Sequence, residues 1–155
     1  MMVNTPNKYF LVKGSGDGNT LLNAFDFALL NAGVGDTNLV RMSSILPPKC
    51  KEIPAIKLPK GALIPIAYAE ISSNNTGATI SAAVAVGIPL DDTEPGVIME
   101  YEAEASLKEV EDVVTNMVKD AFAYRKRELK EIKMSSVTTV VEKNSSVFAG
   151  LVLWY

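Results

Sequence analysis

The feature that most restricts this chain is a series of strand-length segments at residues 62–71, 78–88, 97–105, 132–142 and 147–155. Three are largely apolar, while 97–105 and 132–142 mix apolar with polar residues, and each is predicted as a β-strand. Ser72-Ser73-Asn74-Asn75-Thr76-Gly77 lies between the first two and reads as a hairpin-type turn. Asp91-Asp92-Thr93-Glu94-Pro95-Gly96 makes another turn. Upstream, Tyr9-Phe10-Leu11-Val12 is a short strand candidate running into Gly14-Ser15-Gly16-Asp17-Gly18-Asn19, which reads as a turn. Residues 38–45 form a further strand candidate that Pro47-Pro48 stops, and 49–61 read as irregular.

Two segments follow a helical period instead. Thr20 caps a predicted helix over 21–32 with apolar residues at Leu21, Leu22, Phe25, Ala28, Leu29 and Ala32, and Gly33 fits its end. This helix is apolar nearly all round, which predicts burial on more than one side, and Asp26 is its only charge. Ser106-Leu107-Lys108-Glu109 is a capping box that opens a longer helix to about Lys130. Val110, Val113, Val114, Met117, Val118, Ala121 and Phe122 form its buried stripe. The order is β-α-β-β-β-β-α-β-β, an α+β chain of one domain over residues 1–155.

Composition narrows the chemistry. The 155 residues are 48% hydrophobic and 21% charged, enough for a packed core and too apolar for disorder. A net charge of -3 argues against a nucleic-acid partner. No run suggests a membrane-spanning helix. Residues 1–8 are polar with no apolar signal segment, so a cytoplasmic location is expected. There are 0 histidines and 1 cysteine. Imidazole bases, Cys-His pairs, His-bearing zinc sites and internal disulfides are therefore excluded, and no metal is expected. Any enzymatic work falls to carboxylates, hydroxyls, lysine, a bound cofactor or one the chain makes from itself.

Most motifs are structural. The glycine-rich stretch at 14–18 lacks the Lys-Ser/Thr of a phosphate loop. Cys50, between Lys49 and Lys51, reads as a bystander thiol. Arg125-Lys126-Arg127 reads as a solvated helix end. From spacing alone, Ser43-Ser44 is a strand end whose hydroxyls cap a turn, Asn38 a strand start, and Glu100, Glu102 and Glu104 the exposed face of a strand.

Several blocks together carry a more specific signal: Leu22-Asn23-Ala24-Phe25-Asp26, Ala28-Leu29-Leu30-Asn31-Ala32-Gly33, and Asn38-Leu39-Val40-Arg41-Met42-Ser43-Ser44-Ile45-Leu46-Pro47-Pro48. Lys57-Leu58-Pro59-Lys60-Gly61-Ala62, Ile98-Met99-Glu100-Tyr101-Glu102 and Leu153-Trp154-Tyr155 extend it over nearly the whole chain. In these blocks the sequence resembles the pyruvoyl-dependent arginine decarboxylases, a chiefly archaeal family. The resemblance implies a four-layer α-β-β-α sandwich that assembles as homotrimers or dimers of trimers, with the pocket between subunits. It implies self-cleavage at Ser43-Ser44, giving a β chain of residues 1–43 and an α chain of 44–155 that begins with a covalent pyruvoyl group made from Ser44.

By the same resemblance, Asn38 orients the peptide for cleavage and Glu100 donates the proton that replaces CO2. Asp26 receives the substrate guanidinium, although a pairing of Asp26 with Arg41 or a backbone amide stays open. Ser43 contacts the substrate's amino end, and Leu22, Leu29, Gly35, Thr37 and Ile45 match pocket-wall positions. The activity implied is decarboxylation of L-arginine to agmatine through an imine with the pyruvoyl group. The alternatives are a decarboxylase of another amino acid, or an unprocessed, non-catalytic oligomeric ligand-binding module on the same fold.

Overall fold

A computed structural model describes residues 3–155; Met1 and Met2, at the start of the expected polar tail, lie outside the described residues. The elements run β1 (Lys8–Asp17), α1 (Leu21–Asn31), β2 (Asn38–Arg41), β3 (Ile45–Leu46), β4 (Lys51–Glu52), β5 (Leu63–Ser73), β6 (Thr79–Pro89), β7 (Gly96–Ala103), α2 (Leu107–Arg125), β8 (Leu129–Val140) and β9 (Ser145–Trp154). They form a five-stranded sheet in the order β2-β5-β9-β1-β4 and a four-stranded sheet in the order β3-β7-β6-β8.

The two sheets face each other across a core that includes Ala67, Ala69, Ile80, Val84, Ile98, Ala149 and Leu151. Helix α1 covers the outer face of the first sheet through Ala28, Ala32, Phe10, Val12, Ile66 and Phe148. Helix α2 covers the second through Val110, Val114, Val118, Phe122, Ala83, Ala85 and Val97. The result is the expected α-β-β-α sandwich. Strands β6 and β9 sit mid-sheet and are buried along almost their whole length, which is why their sequences run apolar instead of alternating.

Several boundaries differ from the sequence reading, each for a physical reason. The glycine-rich stretch is not a turn: β1 continues through it, paired with β9 as far as Asp17↔Ser145. Gly14 and Gly16 fall on the same strand face as Phe10 and Val12, directly under α1. A Cβ on Gly16 would stand 2.6 Å from the backbone of Ala24 and Ala28. The glycines therefore let helix and sheet approach closely. The stretch at 72–77 is not a hairpin either, because β5 and β6 belong to different sheets and the chain crosses the sandwich between them. Helix α2 ends at Arg125, with Lys126 left-handed at φ 54, so Lys130 lies on β8. Two residues of the irregular stretch, Lys51 and Glu52, pair with β1.

The strand expected over 38–45 is two strands in two sheets. β2 lies parallel to β5 at the edge of the first sheet, and β3 lies antiparallel to β7 at the edge of the second. Residues 42–44 bridge the gap. Helix α1 also departs from expectation: Ala24 and Ala28 are buried, but Leu22 is 75% exposed and Leu21, Phe27 and Leu30 are exposed too. In the isolated protomer it buries one side only. No helix among the described residues is long and apolar enough to cross a membrane.

The close approach of β1 to α1 gives a stability test. Gly16→Ala is expected to lower the unfolding free energy by about 1–3 kcal/mol, because its methyl group meets backbone that cannot move aside. Gly33→Ala has open space around it but a φ of 83, and is expected to cost about 1 kcal/mol. Urea denaturation of both variants checks the order, and the reverse order contradicts the packing described.

Candidate active site

The Ser43-Ser44 peptide lies where the chain leaves one sheet for the other. On its upstream side, the amide of Met42 still donates to the carbonyl of Ile66, extending the β2–β5 ladder by one bond at 3.1 Å. On its downstream side, the Ser44 carbonyl accepts from the amide of Ile98 on β7 at 2.9 Å. Ser43 and Ser44 themselves belong to no strand, and Ser44 sits at a bend. The linkage is thus gripped on both sides and free of the ladders in between.

Glu100 comes to the same place from β7. Alternate residues of that strand, Val97, Met99 and Tyr101, pack toward α2. Ile98 points into the core between the sheets, and by the two-residue period Glu100 and Glu102 project to that side as well. Glu102 and Glu104 are exposed, as the alternation suggested, but Glu100 is not. The Glu100 side chain is 22% exposed, and the Ser44 hydroxyl donates to its Oε2 at 3.4 Å. Burial pushes the Glu100 carboxyl above the ordinary glutamate range, against the opposing pull of Arg41 and the Ser44 hydroxyl, while Glu102 pushes it further up. Glu102 is raised as well, first by burial. Glu104, further along, accepts from the side-chain amide of Asn75 at 3.2 Å.

Arg41 was not among the residues singled out as a site member, and nothing in its spacing marks it. Its Nη2 donates to the Tyr68 carbonyl at 2.6 Å, and the guanidinium lies over the Tyr68 ring, 4.4 Å from the centroid. The same nitrogen stands 4.0 Å from Glu100 Oε1. Arg41 is thus paired with Glu100 and not with Asp26, which has no ion pair among the described residues.

The remaining candidates lie elsewhere on the protomer. Leu22, Asp26 and Leu29 share one side of α1, at i, i+4 and i+7. Leu22 and Asp26 are exposed, and Leu29 is partly buried against the core beneath the helix. Gly35 and Thr37 line a cavity of about 240 Å³ with Leu30, Asp36, Ile56 and Lys57. Asn38 begins β2, and its side-chain amide donates to the Gly61 carbonyl at 3.0 Å. Asn38 and Ser43 are five positions apart in the chain, one on β2 and the other in the crossing segment. One protomer brings together Ser44 and Glu100, with Ser43 and Ile45 adjacent in the chain, and carries Leu22, Asp26, Leu29, Gly35, Thr37 and Asn38 as a second group that no hydrogen bond or ion pair ties to the first among the described residues.

The nearby chemistry is consistent with a self-made electrophile. No group of acidic, cysteine or histidine side chains suited to a metal ion occurs among the described residues. Burial pushes the Cys50 thiol up to about 11, so it is not a ready nucleophile at neutral pH. Ser44 is a hydroxyl with a half-buried carboxyl beside it and its carbonyl tied down.

Comparison with known proteins agrees. The family model for pyruvoyl-dependent arginine decarboxylase matches residues 8–153. The pyruvoyl-dependent arginine decarboxylase of Methanocaldococcus jannaschii is 51% identical over 150 residues, covering 97% of this chain and 91% of that one. Its counterpart from Methanococcus vannielii is 47% identical, covering 97% and 92%. That of Pyrococcus horikoshii is 41% identical over 154 residues, covering 97% and 96%. A match over almost the full length at this identity, on a chain whose Ser44 meets a half-buried carboxyl, establishes that the protein belongs to the pyruvoyl-dependent arginine decarboxylase family.

Proposed function

We propose that the protein cuts itself between Ser43 and Ser44 and, with the covalent pyruvoyl group so formed, decarboxylates L-arginine to agmatine and CO2. The observation that carries this reading is the hydrogen bond from the Ser44 hydroxyl to the half-buried carboxyl of Glu100, on a chain that belongs to the family throughout. Serine is a poor nucleophile without a base. In a chain with 0 histidines, Glu100 Oε2 is the acceptor that the hydroxyl already meets. The attack joins Ser44 Oγ to the Ser43 carbonyl carbon as the peptide C–N bond breaks. The Oγ–Cβ bond then breaks as Cα loses its proton, and water releases the nitrogen as ammonia. The products are a β chain of 1–43 ending in a Ser43 carboxylate and an α chain of 44–155.

Once formed, the pyruvoyl group supplies an electron-accepting ketone and amide for loss of CO2. The rest is done by side chains and backbone of this protein. The Ile98 amide holds the residue-44 carbonyl, as it does in the uncut chain, and stabilises negative charge developing there. Glu100, whose acid form burial favours, delivers a proton to the carbon that CO2 leaves. Asp26 offers two carboxylate oxygens to the planar guanidinium of arginine. Leu22, Leu29, Gly35, Thr37 and Ile45 form the walls, and Ser43 meets the substrate's amino end.

Asp26 and Asn38 belong to the second group on the protomer, so in this reading they complete the site of a neighbouring copy. Asn38 there orients the Ser43 carbonyl for attack. The exposed Leu21, Leu22, Phe27 and Leu30 on the helix that carries Asp26 support such an interface, because an apolar patch of this kind calls for cover. A homotrimer, or a dimer of trimers, in the cytoplasm is the assembly proposed.

Ser44→Ala is expected to remain one polypeptide and to release no CO2 from arginine. Glu100→Gln is expected to cut slowly, and its processed form to lose about 100-fold or more in kcat, the usual contribution of a general acid. Asp26→Asn is expected to raise KM for arginine by about 10–100-fold, the equivalent of one charge-assisted hydrogen-bond pair, with little effect on processing. Steady-state CO2 release from each variant checks these outcomes. An unchanged KM in Asp26→Asn removes Asp26 from substrate recognition.

A further inference from the structure

The reading above asks two opposite things of Glu100. As the acceptor of the Ser44 proton it must be a carboxylate; as the donor in turnover it must be an acid. Burial favours the acid. Something must therefore favour the carboxylate before the chain is cut, and the structure contains one cation at that spot.

We propose that Arg41 is a positioning residue for self-processing: its guanidinium, clamped by Tyr68, draws the Glu100 carboxyl toward its carboxylate form and leaves one oxygen facing the Ser44 hydroxyl. Three observations carry this. The guanidinium is held by its bond to the Tyr68 carbonyl at 2.6 Å and by the Tyr68 ring at 4.4 Å, so its location does not depend on Glu100. From that clamp Nη2 reaches to 4.0 Å of Glu100 Oε1. The other carboxylate oxygen, Oε2, is the one that accepts from Ser44. One oxygen thus faces the cation and the other faces the nucleophile.

The charges around Glu100 make Arg41 decisive. From β2 comes Arg41, from the crossing segment Ser44, and from β7 itself Glu102. Glu70 on β5 acts on Glu102 in turn. On β6 the residue paired with Glu100 is Val84, which offers no charge. Arg41 is the one cation the structure sets against these carboxyls among the described residues. Removing it leaves burial and Glu102 unopposed except by the Ser44 hydroxyl, and the acid form gains. An opposite charge at this separation lowers a carboxyl pKa by about one unit or more. Below the midpoint, one unit corresponds to about tenfold in the carboxylate fraction.

This inference rests on self-processing at Ser44, and its test separates the two. Freshly unfolded and refolded precursor is followed by denaturing mass spectrometry over pH 5–9, for wild type, Arg41→Met and Arg41→Lys, and for Arg41→Met in a Glu100→Gln background. Wild type is expected to cut with a rate that rises through one midpoint. Arg41→Met is expected to cut about tenfold more slowly below that midpoint, with the midpoint moved up by about one unit. Arg41→Lys keeps the charge and is expected to hold the wild-type midpoint, while Arg41→Met is expected to add nothing to Glu100→Gln. A merely structural role lowers the rate without moving the midpoint. An unmoved midpoint in Arg41→Met therefore overturns the inference while leaving Ser44 cleavage intact. Wild type that stays uncut at every pH overturns the function itself. If Arg41→Met yields no folded protein, Arg41→Gln carries the same expectation and the same refutation.

Discussion

The structure depends on one constraint: between Arg41, the last residue of β2, and Ile45, the first of β3, the chain must pass from the edge of one sheet to the edge of the other. That passage leaves residues 42–44 outside both sets of strands. A peptide inside a ladder has both of its polar groups engaged and its planes fixed. The Ser43-Ser44 peptide escapes that fixation while its neighbours do not, since Met42 is bonded to Ile66 and Ser44 to Ile98. The geometry leaves a single linkage unfixed between two fixed neighbours. A cut there, as proposed, would leave the sandwich standing: β1 pairs with β9 along its whole length and β2 pairs with β5, so both strands before Ser44 would stay held by strands after it.

The carboxyl beside that linkage is held at an intermediate depth. A fully exposed glutamate has an ordinary pKa and gives up its proton well below pH 7. A fully buried one stays neutral and cannot take a proton from serine. Glu100 lies between, its side chain 22% exposed, two residues along β7 from the buried Ile98 and beside Arg41 and Ser44. Its protonation is therefore governed by a few identifiable neighbours. In a protein without histidine, a carboxyl shifted by burial and by its neighbours is one means of building an acid-base group.

Much of the fold was legible because burial writes itself into spacing. The runs at 78–88 and 147–155 proved to be central strands, and Ser106 with Glu109 formed the capping box that starts α2. What spacing hid was partnership. Residues 62–71 and 78–88 look like a hairpin because they are adjacent in sequence, yet each joins a different sheet. Gly14 and Gly16 look like a turn because glycine commonly makes turns; here glycine is needed because Ala24 and Ala28 press on the strand. The candidate site divides in the same way. Ser43, Ser44 and Glu100 were named from family resemblance, and the fold brings them together across 56 residues of sequence. Arg41 was missed because its contacts, Tyr68 and Glu100, are both remote in sequence. Asp26 drew notice as the one charge of a helix expected to be buried on more than one side; in the protomer it is exposed beside the exposed Leu22.

The central claim is that the backbone at Ser44 converts itself into the reactive group. The most direct measurement is the intact mass of the purified, denatured protein after incubation at its growth temperature, repeated with borohydride and arginine present. The account predicts two polypeptides, residues 1–43 and 44–155, with the larger one lacking a free amino terminus and gaining the mass of a reduced arginine-derived adduct. A preparation that decarboxylates arginine while its only polypeptide is the unbroken chain from Met1 to Tyr155 contradicts it.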